Sequence, residues 1–442
     1  MNFTDRVNRV EESLTIGMSR KARELKAAGK DIISLSLGEP DFDTPQYIKD
    51  AAIAAINAGK TKYPPVGGLP ELKKAICDKL KRDSNLDYSP AEVMASTGAK
   101  QCIMNVILST VQSGDEVVIP LPFWVSYSEM VNFAGGKCVF VPSKFEDEFA
   151  IDIDAMKAAV NAKTKIIIFS SPSNPAGNLL SKEQLGEIAK IVKANPQITV
   201  ISDEIYEHIN FEGEHISISQ FSEIRDQLVI INGVSKAFSM TGWRLGYMAG
   251  PAALVATCDK LQGQFTSGAA SISQWAAITA LNEDMKPTHE MVAVFKHRRD
   301  LMVEWLREIP GMEVDIPRGA FYLFPRVSSF YGKTIGGTTI DSSLDFCNYI
   351  LEEALVADPE AAVALVAADE ADVAALVALT TASAALVVAV VALEAALVAL
   401  EAASAALVVA VVADVEAEVA LLAALVAEVD AEDALEAAEV AD

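Results

Sequence analysis

LVIINGVSKAFSMTGWRLG, residues 228–246, is the stretch that decides how this chain reads. Its first five residues, LVIIN (228–232), are apolar up to the last position. A short run of that kind suits a strand covered on both faces. A hydroxyl, an amine and a guanidinium come within the next fourteen residues: Ser235, Lys236 and Arg244. Open α/β sheets bind ligands just beyond the C-terminal ends of their strands, so polar groups placed there are candidates for chemistry.

The same arrangement recurs on the N-terminal side. EVVIP (116–120), KCVFVP (137–142), KIIIFS (165–170) and ITVIS (198–202) are short, β-rich and nearly all apolar. Helix-like stretches at 123–134, 152–161 and 182–194 lie between several of them, with Asp152 and Ser181 as predicted N-caps of the last two. The alternation predicts an α/β domain whose largely parallel sheet carries helices on both faces.

Candidate functional groups gather just past the strand ends. SPSNPAGN comes after KIIIFS and holds Asn174 in a Pro-flanked turn. DEIYEH comes after ITVIS and brings Asp203 and Tyr206. TGAKQ comes after the strand-like EVMAS (92–96), so that Gly98 and Ala99 open a helix. Trp124 lies just beyond the strand that ends at Pro120.

Together these groups match the needs of pyridoxal 5'-phosphate (PLP). A lysine can bond the cofactor aldehyde. A carboxylate can keep the pyridine nitrogen protonated, which makes the ring an electron sink. A helix N-terminus, a hydroxyl and an arginine can hold the phosphate. A phenol and an amide can bond the ring hydroxyl, and an aromatic side chain can stack on the ring. Each residue alone has a plainer reading. Lys236 could be a solvated surface amine, Asp203 a helix cap, Asn174 a turn residue and Trp124 core packing. Gly98 could be a loop glycine and Arg244 the partner of a surface acid. Only the joint pattern favours a cofactor site.

The run 233–246 resembles, over its whole length, the PLP-attachment signature of class I aminotransferases of the aspartate aminotransferase type. SNPAGN resembles the family's asparagine loop, with Ala176 where threonine is usual, and SDEIYEH resembles its Asp–Tyr segment. LGEPDFDTP (37–45), KTKYPPVGGLPELKKAI (60–76) and RGAFYLFP (318–325) resemble further family segments in order, so that the likeness covers about residues 10–357. The resemblance implies fold type I and assigns roles residue by residue. Lys236 is the lysine that carries PLP and shuttles a proton; Asp203 faces the pyridine nitrogen. Asn174 and Tyr206 contact the ring hydroxyl, and Trp124 stacks on the ring. Gly98, Ala99, Lys100, Ser235 and Arg244 surround the phosphate. Tyr63 reaches the phosphate of a neighbouring subunit, which implies a homodimer. Gly38, Trp124 and Asn174 touch the substrate carboxylate, and Lys100 can also read an acidic substrate side chain. The implied reaction moves an amino group from an L-amino acid, aspartate by preference, to a 2-oxo acid such as 2-oxoglutarate. An aromatic or kynurenine-type specificity is the neighbouring alternative.

The expected domains are an N-terminal arm and part of a small domain at 1–45, a large PLP-binding domain at 46–285, and the rest of the small domain at 286–357. The likeness stops there. In the family a Val-Pro-Gly strand and an Arg-x-Ser motif come next, whose arginine clamps the substrate α-carboxylate. Here the last arginine is Arg326 and the last lysine Lys333. The small domain is therefore expected to be incomplete, and a PLP-binding protein with little turnover is the alternative to an active transferase.

Residues 358–442 read as an Ala/Val/Leu/Glu-rich helical tail. ASAALVVAVVA occurs at 382–392 and again at 403–413. The charge-free run 373–393 is long enough to span a bilayer. Thr380, Thr381 and Ser383 interrupt it and no basic residue flanks it, so packed or self-associating helices are the expectation, with no membrane partner.

Charge and cysteine usage narrow the remaining classes. The chain of 442 residues carries a net charge of −25, of which −17 falls after position 354 and −8 before it. Nothing basic enough for nucleic-acid binding is left. Cys77, Cys102, Cys138, Cys258 and Cys347 form no CxxC pair, and the four histidines have no HxxxH or HExxH spacing. Neither a disulfide framework nor a metal site is expected. The charged N-terminal residues MNFTDRVNRVEES lack an apolar signal core, which points to the cytoplasm.

Overall fold

The computed structural model describes residues 3–10, 14–34, 38–335, 337–353 and 356–357. The expectations for the tail 358–442, including its repeat and the run 373–393, lie outside the described residues.

Strands are numbered along the chain. β1 is Ile33–Ser34, β2 Val93–Ser96, β3 Glu116–Pro120, β4 Lys137–Val141, β5 Thr164–Ser170, β6 Thr199–Asp203, β7 Leu228–Gly233 and β8 Gly246–Ala249. β9 (Lys333–Ile335), β10 (Thr338–Ile340) and β11 (Val356–Ala357) complete the set. β2 to β8 form one seven-stranded sheet in the order β2-β8-β7-β6-β5-β3-β4. β8 runs antiparallel to both of its neighbours. The other pairings, β3 with β4 and β5, β5 with β6, and β6 with β7, are parallel. The expected α/β architecture of fold type I, a mostly parallel sheet flanked by helices, is what the chain forms.

The apolar runs are continuous because both faces of the sheet are covered. In β5, Ile166 and Ile168 enter one buried cluster while Ile167 and Phe169 enter the other. β7 divides in the same way, Val229 and Ile231 against Leu228 and Ile230. Successive side chains point to opposite faces, so a strand between two helical layers has no polar face to show. The helices Pro70–Ser84 and Ser271–Asn282 pack into the cluster of Ile167 and Phe169, and Ala99–Thr110 and Ala252–Phe265 into that of Ile166 and Ile168. Burying one Ile or Leu fully is worth about 1.5–3 kcal/mol, and this repeated burial gives the site a rigid floor.

Both predicted caps form. Asp152 Oδ1 accepts from the Ala155 N–H at 2.9 Å. Ser181 accepts from the Gln184 N–H, and the Gln184 side chain accepts in return from the Ser181 N–H at 2.9 Å, closing a capping box. The helix expected at 123–134 starts later, at Ser126, and ends at Ala134 as expected. The helix expected at 152–161 runs from Ile153 to Ala159.

The topology sets up the site. β2, β3, β5, β6 and β7 run in one direction, so Ser96, Pro120, Ser170, Asp203 and Gly233 end at one edge of the sheet. β3 continues outward to β4, whereas β5 leads inward to β6 and β7. That reversal of strand order opens a crevice at the C-terminal edge. Elsewhere, β1 pairs in parallel with β11, which ties residues near the two ends of the described chain together.

Candidate active site

A cleft of about 300 Å³ lies at this edge. Asp203, the last residue of β6, sits at its floor and is 4% exposed. Its Oδ2 accepts from the Tyr127 hydroxyl at 2.7 Å, and its Oδ1 from the Ile205 N–H at 3.3 Å. Burial pushes the Asp203 carboxyl up to about 6, against the pull of these two donors. Nearby Glu204 pushes it further up and Lys236 pulls it down. A buried carboxylate held this way gains from a cation or N–H donor in the cleft.

Lys236 lies three residues beyond β7 and its Nζ donates to the Gly38 carbonyl. The same Nζ is 5.7 Å from the centre of the Tyr206 ring and 5.4 Å from that of Phe321. Tyr206 and Tyr322 share a hydroxyl–hydroxyl bond of 2.6 Å. Asn174, buried in the turn after β5, lines the cleft with Ser170. Trp124 also lines it, and the Lys100 Nζ stands 4.8 Å above the Trp124 ring.

One end of the cleft is built for an anion. The helix Ala99–Thr110 starts without a side-chain cap, so its first N–H groups and positive end are open to a ligand. Gly98, at φ 88°, is the entry residue. A Cβ there would lie 2.7 Å from Arg244 Nη2, and one on Gly246 would lie 2.2 Å from the Ala99 nitrogen. Only glycine permits both approaches. Arg244 is held by a 2.8 Å bond from its Nη1 to the Thr241 carbonyl, and Ser235 lines the same end. Burial and the Arg244 charge lower the Lys100 pKa, so this end favours a negative group.

The structure therefore brings Gly38, Ala99, Lys100, Trp124, Asn174, Asp203, Tyr206, Ser235, Lys236 and Arg244 to one cleft, with Gly98 packed behind Arg244. Tyr63 does not line the cleft; it is 96% exposed on the surface of the chain. Sequence reasoning missed Tyr127, Ser170, Tyr322, Glu39 and Thr241, all of which line the cleft. Tyr127 carried a usable signal, since it falls one helical turn after Trp124 where the helix Ser126–Ala134 begins. Tyr322 lies within RGAFYLFP, beside residues already singled out. Glu39 accepts from the Thr241 hydroxyl at 2.7 Å, a contact between distant segments that spacing cannot reveal.

PLP fits this set of groups. Its phosphate matches the uncapped helix end with Arg244 and Ser235, its ring nitrogen the buried Asp203 carboxylate, and its aldehyde the amine of Lys236. Fold and site together define a PLP-dependent enzyme of fold type I. The chain belongs to the aminotransferase class I and II family, whose model matches residues 30–368. It is 46% identical over 359 residues to a probable aspartate/prephenate aminotransferase of Rhizobium leguminosarum bv. phaseoli, covering 80% of this chain and 90% of that protein. It is 44% identical over 359 residues to an aspartate aminotransferase of Bacillus subtilis (strain 168), covering 81% and 90%. Among solved structures, the aspartate aminotransferase of Rhizobium meliloti superposes with a TM-score of 0.79 at 36% identity, over 87% of this chain and 98% of that one. The Thermus thermophilus aspartate aminotransferase with maleate gives a TM-score of 0.75 at 36% identity, over 81% and 91%. Among the described residues no helix is long and apolar enough to cross a membrane.

Proposed function

We propose that this aminotransferase moves the amino group of L-aspartate to a 2-oxo acid, with 2-oxoglutarate as acceptor. The observation that carries the proposal is the meeting, in one cleft, of the Lys236 amine, the buried Asp203 carboxylate and an uncapped helix end beside Arg244. Bound PLP supplies the electron sink for carbanion chemistry. Asp203 would hold the proton on the ring nitrogen. Lys236 would hold the cofactor aldehyde and, once the donor's amine has displaced it, its freed amine would take the proton from the substrate α-carbon. Asn174 and Tyr206 would hold the ring hydroxyl and Trp124 would cover one ring face. Gly98, Ala99, Lys100, Ser235 and Arg244 would hold the phosphate. Gly38, Trp124 and Asn174 offer hydrogen bonds to the substrate carboxylate.

Aspartate as donor draws support from the names of the relatives and from the dicarboxylate maleate named with the Thermus thermophilus structure. Lys100 adds a cation on the cleft wall for a second carboxylate. The relatives' names also carry prephenate as an acceptor to be tried. A homodimer is proposed, in which Tyr63 reaches the neighbouring site; its 96% exposure, with Ile53, Ile56 and Phe265 also exposed, suits a surface that meets a partner. Five free cysteines suit a reducing compartment, hence the cytoplasm. The domains are proposed at 46–285 for the large one and at 1–45 with 286–357 for the small one.

A second reading, PLP binding with little turnover, has its own observation. Among the described residues Arg244 is the only arginine that lines the cleft, and it stands at the phosphate end. Arg326, the last in the chain, is engaged with Glu146 and Glu313. The experiment is a half-reaction assay of PLP-loaded protein against a panel of L-amino acids. Conversion to pyridoxamine phosphate fastest with aspartate supports the proposal. A cofactor that stays in the aldehyde form with every donor supports the second reading.

A further inference from the structure

Behind the cleft, on the far side of the Asp203–Glu207 segment, lies a network of charges that the proposed reaction does not use. The sequence of this segment alternates in purpose. Asp203 and Tyr206 line the cleft, whereas Glu204 and Glu207 are buried among charged partners behind it. Lys79, from the helix Pro70–Ser84, has a side chain only 1% exposed and is paired with Glu207. Asp83, one turn along the same helix, is 3.6 Å from the Lys79 Nζ. His208 Nε2 is 3.1 Å from the same Glu207 oxygen and 3.9 Å from Asp83. His215 Nε2 is 3.0 Å from Glu204, which also accepts from the Ser202 and Ser217 hydroxyls at 2.9 and 2.7 Å.

Glu204, Glu207 and His215 offer three ligand atoms within 4.8 Å of one another. The buried Lys79 ammonium already supplies the compensating cation, so no metal is needed to explain the cluster. Burial and pairing pull each member's charge state in opposite senses. Burial would drive Lys79 towards its neutral form, but Glu207, Tyr247 and Asp83 outweigh it and its pKa rises. Burial would likewise protonate Glu207, but Lys79, His208 and His215 hold its carboxyl well below the usual range. Burial opposes protonation of His215, and Glu204 and Glu207 reverse that.

Backbone bonds make this segment stiff. The Glu204 N–H donates to the Ile231 carbonyl of β7 at 2.8 Å, and the Glu207 N–H to the Glu204 carbonyl at 2.9 Å. Glu207 follows Asp203 by four residues on this buried, hydrogen-bonded segment, and a charge left uncompensated in such poorly solvated surroundings has larger electrostatic effects than one at a surface. We propose that Lys79 is a positioning residue of this enzyme: by neutralising Glu207 it sets the field that the Asp203–Tyr206 face presents to the bound cofactor. This rests on the PLP reading above.

The test is the pH midpoint of the visible absorption of bound PLP, with the thermal midpoint recorded beside it. Lys79→Met leaves an extra negative charge, which favours protonated forms, so the absorption midpoint should rise by roughly half a pH unit or more. Glu207→Gln leaves an extra positive charge, kept in place by Asp83, and should lower it. The double variant K79M/E207Q removes one charge of each sign, with Asp83 still paired to Arg82, and should return the midpoint to the parental value. Replacing both members of a buried pair is commonly tolerated where removing one is not. Should K79M fail to fold, E207Q and the double variant still give the sign and the restoration. Folded variants whose absorption midpoints stay parental while only their thermal midpoints change would overturn the proposal, because a merely structural pair behaves so. Equal shifts of one sign in all three would overturn it too. A parent protein with no visible cofactor band would overturn the PLP reading itself, and this inference with it.

Discussion

Tyr127→Phe removes a single hydroxyl and leaves the ring in place. That hydroxyl donates to Asp203 Oδ2 at 2.7 Å, and both side chains are buried. A hydrogen bond to a charged group is worth about 1.5–3 kcal/mol, or roughly 1–2 pH units at about 1.4 kcal/mol per unit. The Asp203 carboxyl, pushed up to about 6 by burial against that bond, should therefore titrate at roughly 7–8 in the variant. At pH 7 its ionised fraction in the cofactor-free protein falls from about nine in ten to between about one in two and one in ten. PLP, whose ring nitrogen needs the ionised form, should bind about 2- to 10-fold more weakly at pH 7 and nearly normally at pH 9. The sign extends to stability. A carboxyl whose folded pKa lies above the unfolded value favours the fold below about pH 4, and that contribution is lost as pH rises through the folded pKa. The loss should thus run from about pH 4 to about 6 in the parent and continue to about pH 7–8 in Tyr127→Phe. Fluorimetric PLP titrations at pH 7 and 9, with urea unfolding of cofactor-free protein across that range and Asp203→Asn as reference, measure both. An equal loss of PLP affinity at the two pH values, or none at either, would refute the reasoning.

Asp203→Ala should keep some PLP through the phosphate contacts yet nearly abolish exchange of the substrate α-proton, read by deuterium incorporation; exchange at the parental rate would remove the assigned role. Lys100→Ala should depress turnover with aspartate more than with alanine or phenylalanine, and steady-state rates with the three donors check it. Replacing residues 358–442 by a family-type segment with Val-Pro-Gly and Arg-x-Ser should raise activity by about 30- to several thousand-fold, the equivalent of about 2–5 kcal/mol for one partner of a buried charge pair. PLP occupancy should change little. A parent that already turns over as fast as the exchanged form would show that another residue clamps the carboxylate.

The strands were legible because burial on both faces leaves a signal that needs no partner. β3 runs from Glu116 to Pro120, the span of its apolar run; β5 and β7 differ from theirs by one residue at one end, and β6 by one residue at each end. β8 was not foreseen. Gly246–Ala249 is only four residues long and begins inside the Lys236 motif. Its place between β7 and β2 is set by pairing across the chain rather than by local pattern. The late start of the helix Ser126–Ala134 has a local cause, since the backbone first bends at Leu121 and Pro122, ahead of Trp124 in the cleft wall. In the site, residues directly after strands were found because strand ends converge. Tyr127 and Glu39 were not, because each acts through a contact with a segment far away in sequence: Tyr127 with Asp203, and Glu39 with Thr241.

Everything proposed for the cleft depends on Lys236 as the lysine that carries PLP. Borohydride reduction of the PLP-loaded protein, with proteolysis and mass mapping, locates the attachment. One phosphopyridoxyl label is expected, on the peptide that contains Lys236, and it should be lost in Lys236→Ala. Label on Lys100 or any other lysine, with Lys236 unmodified, would contradict it.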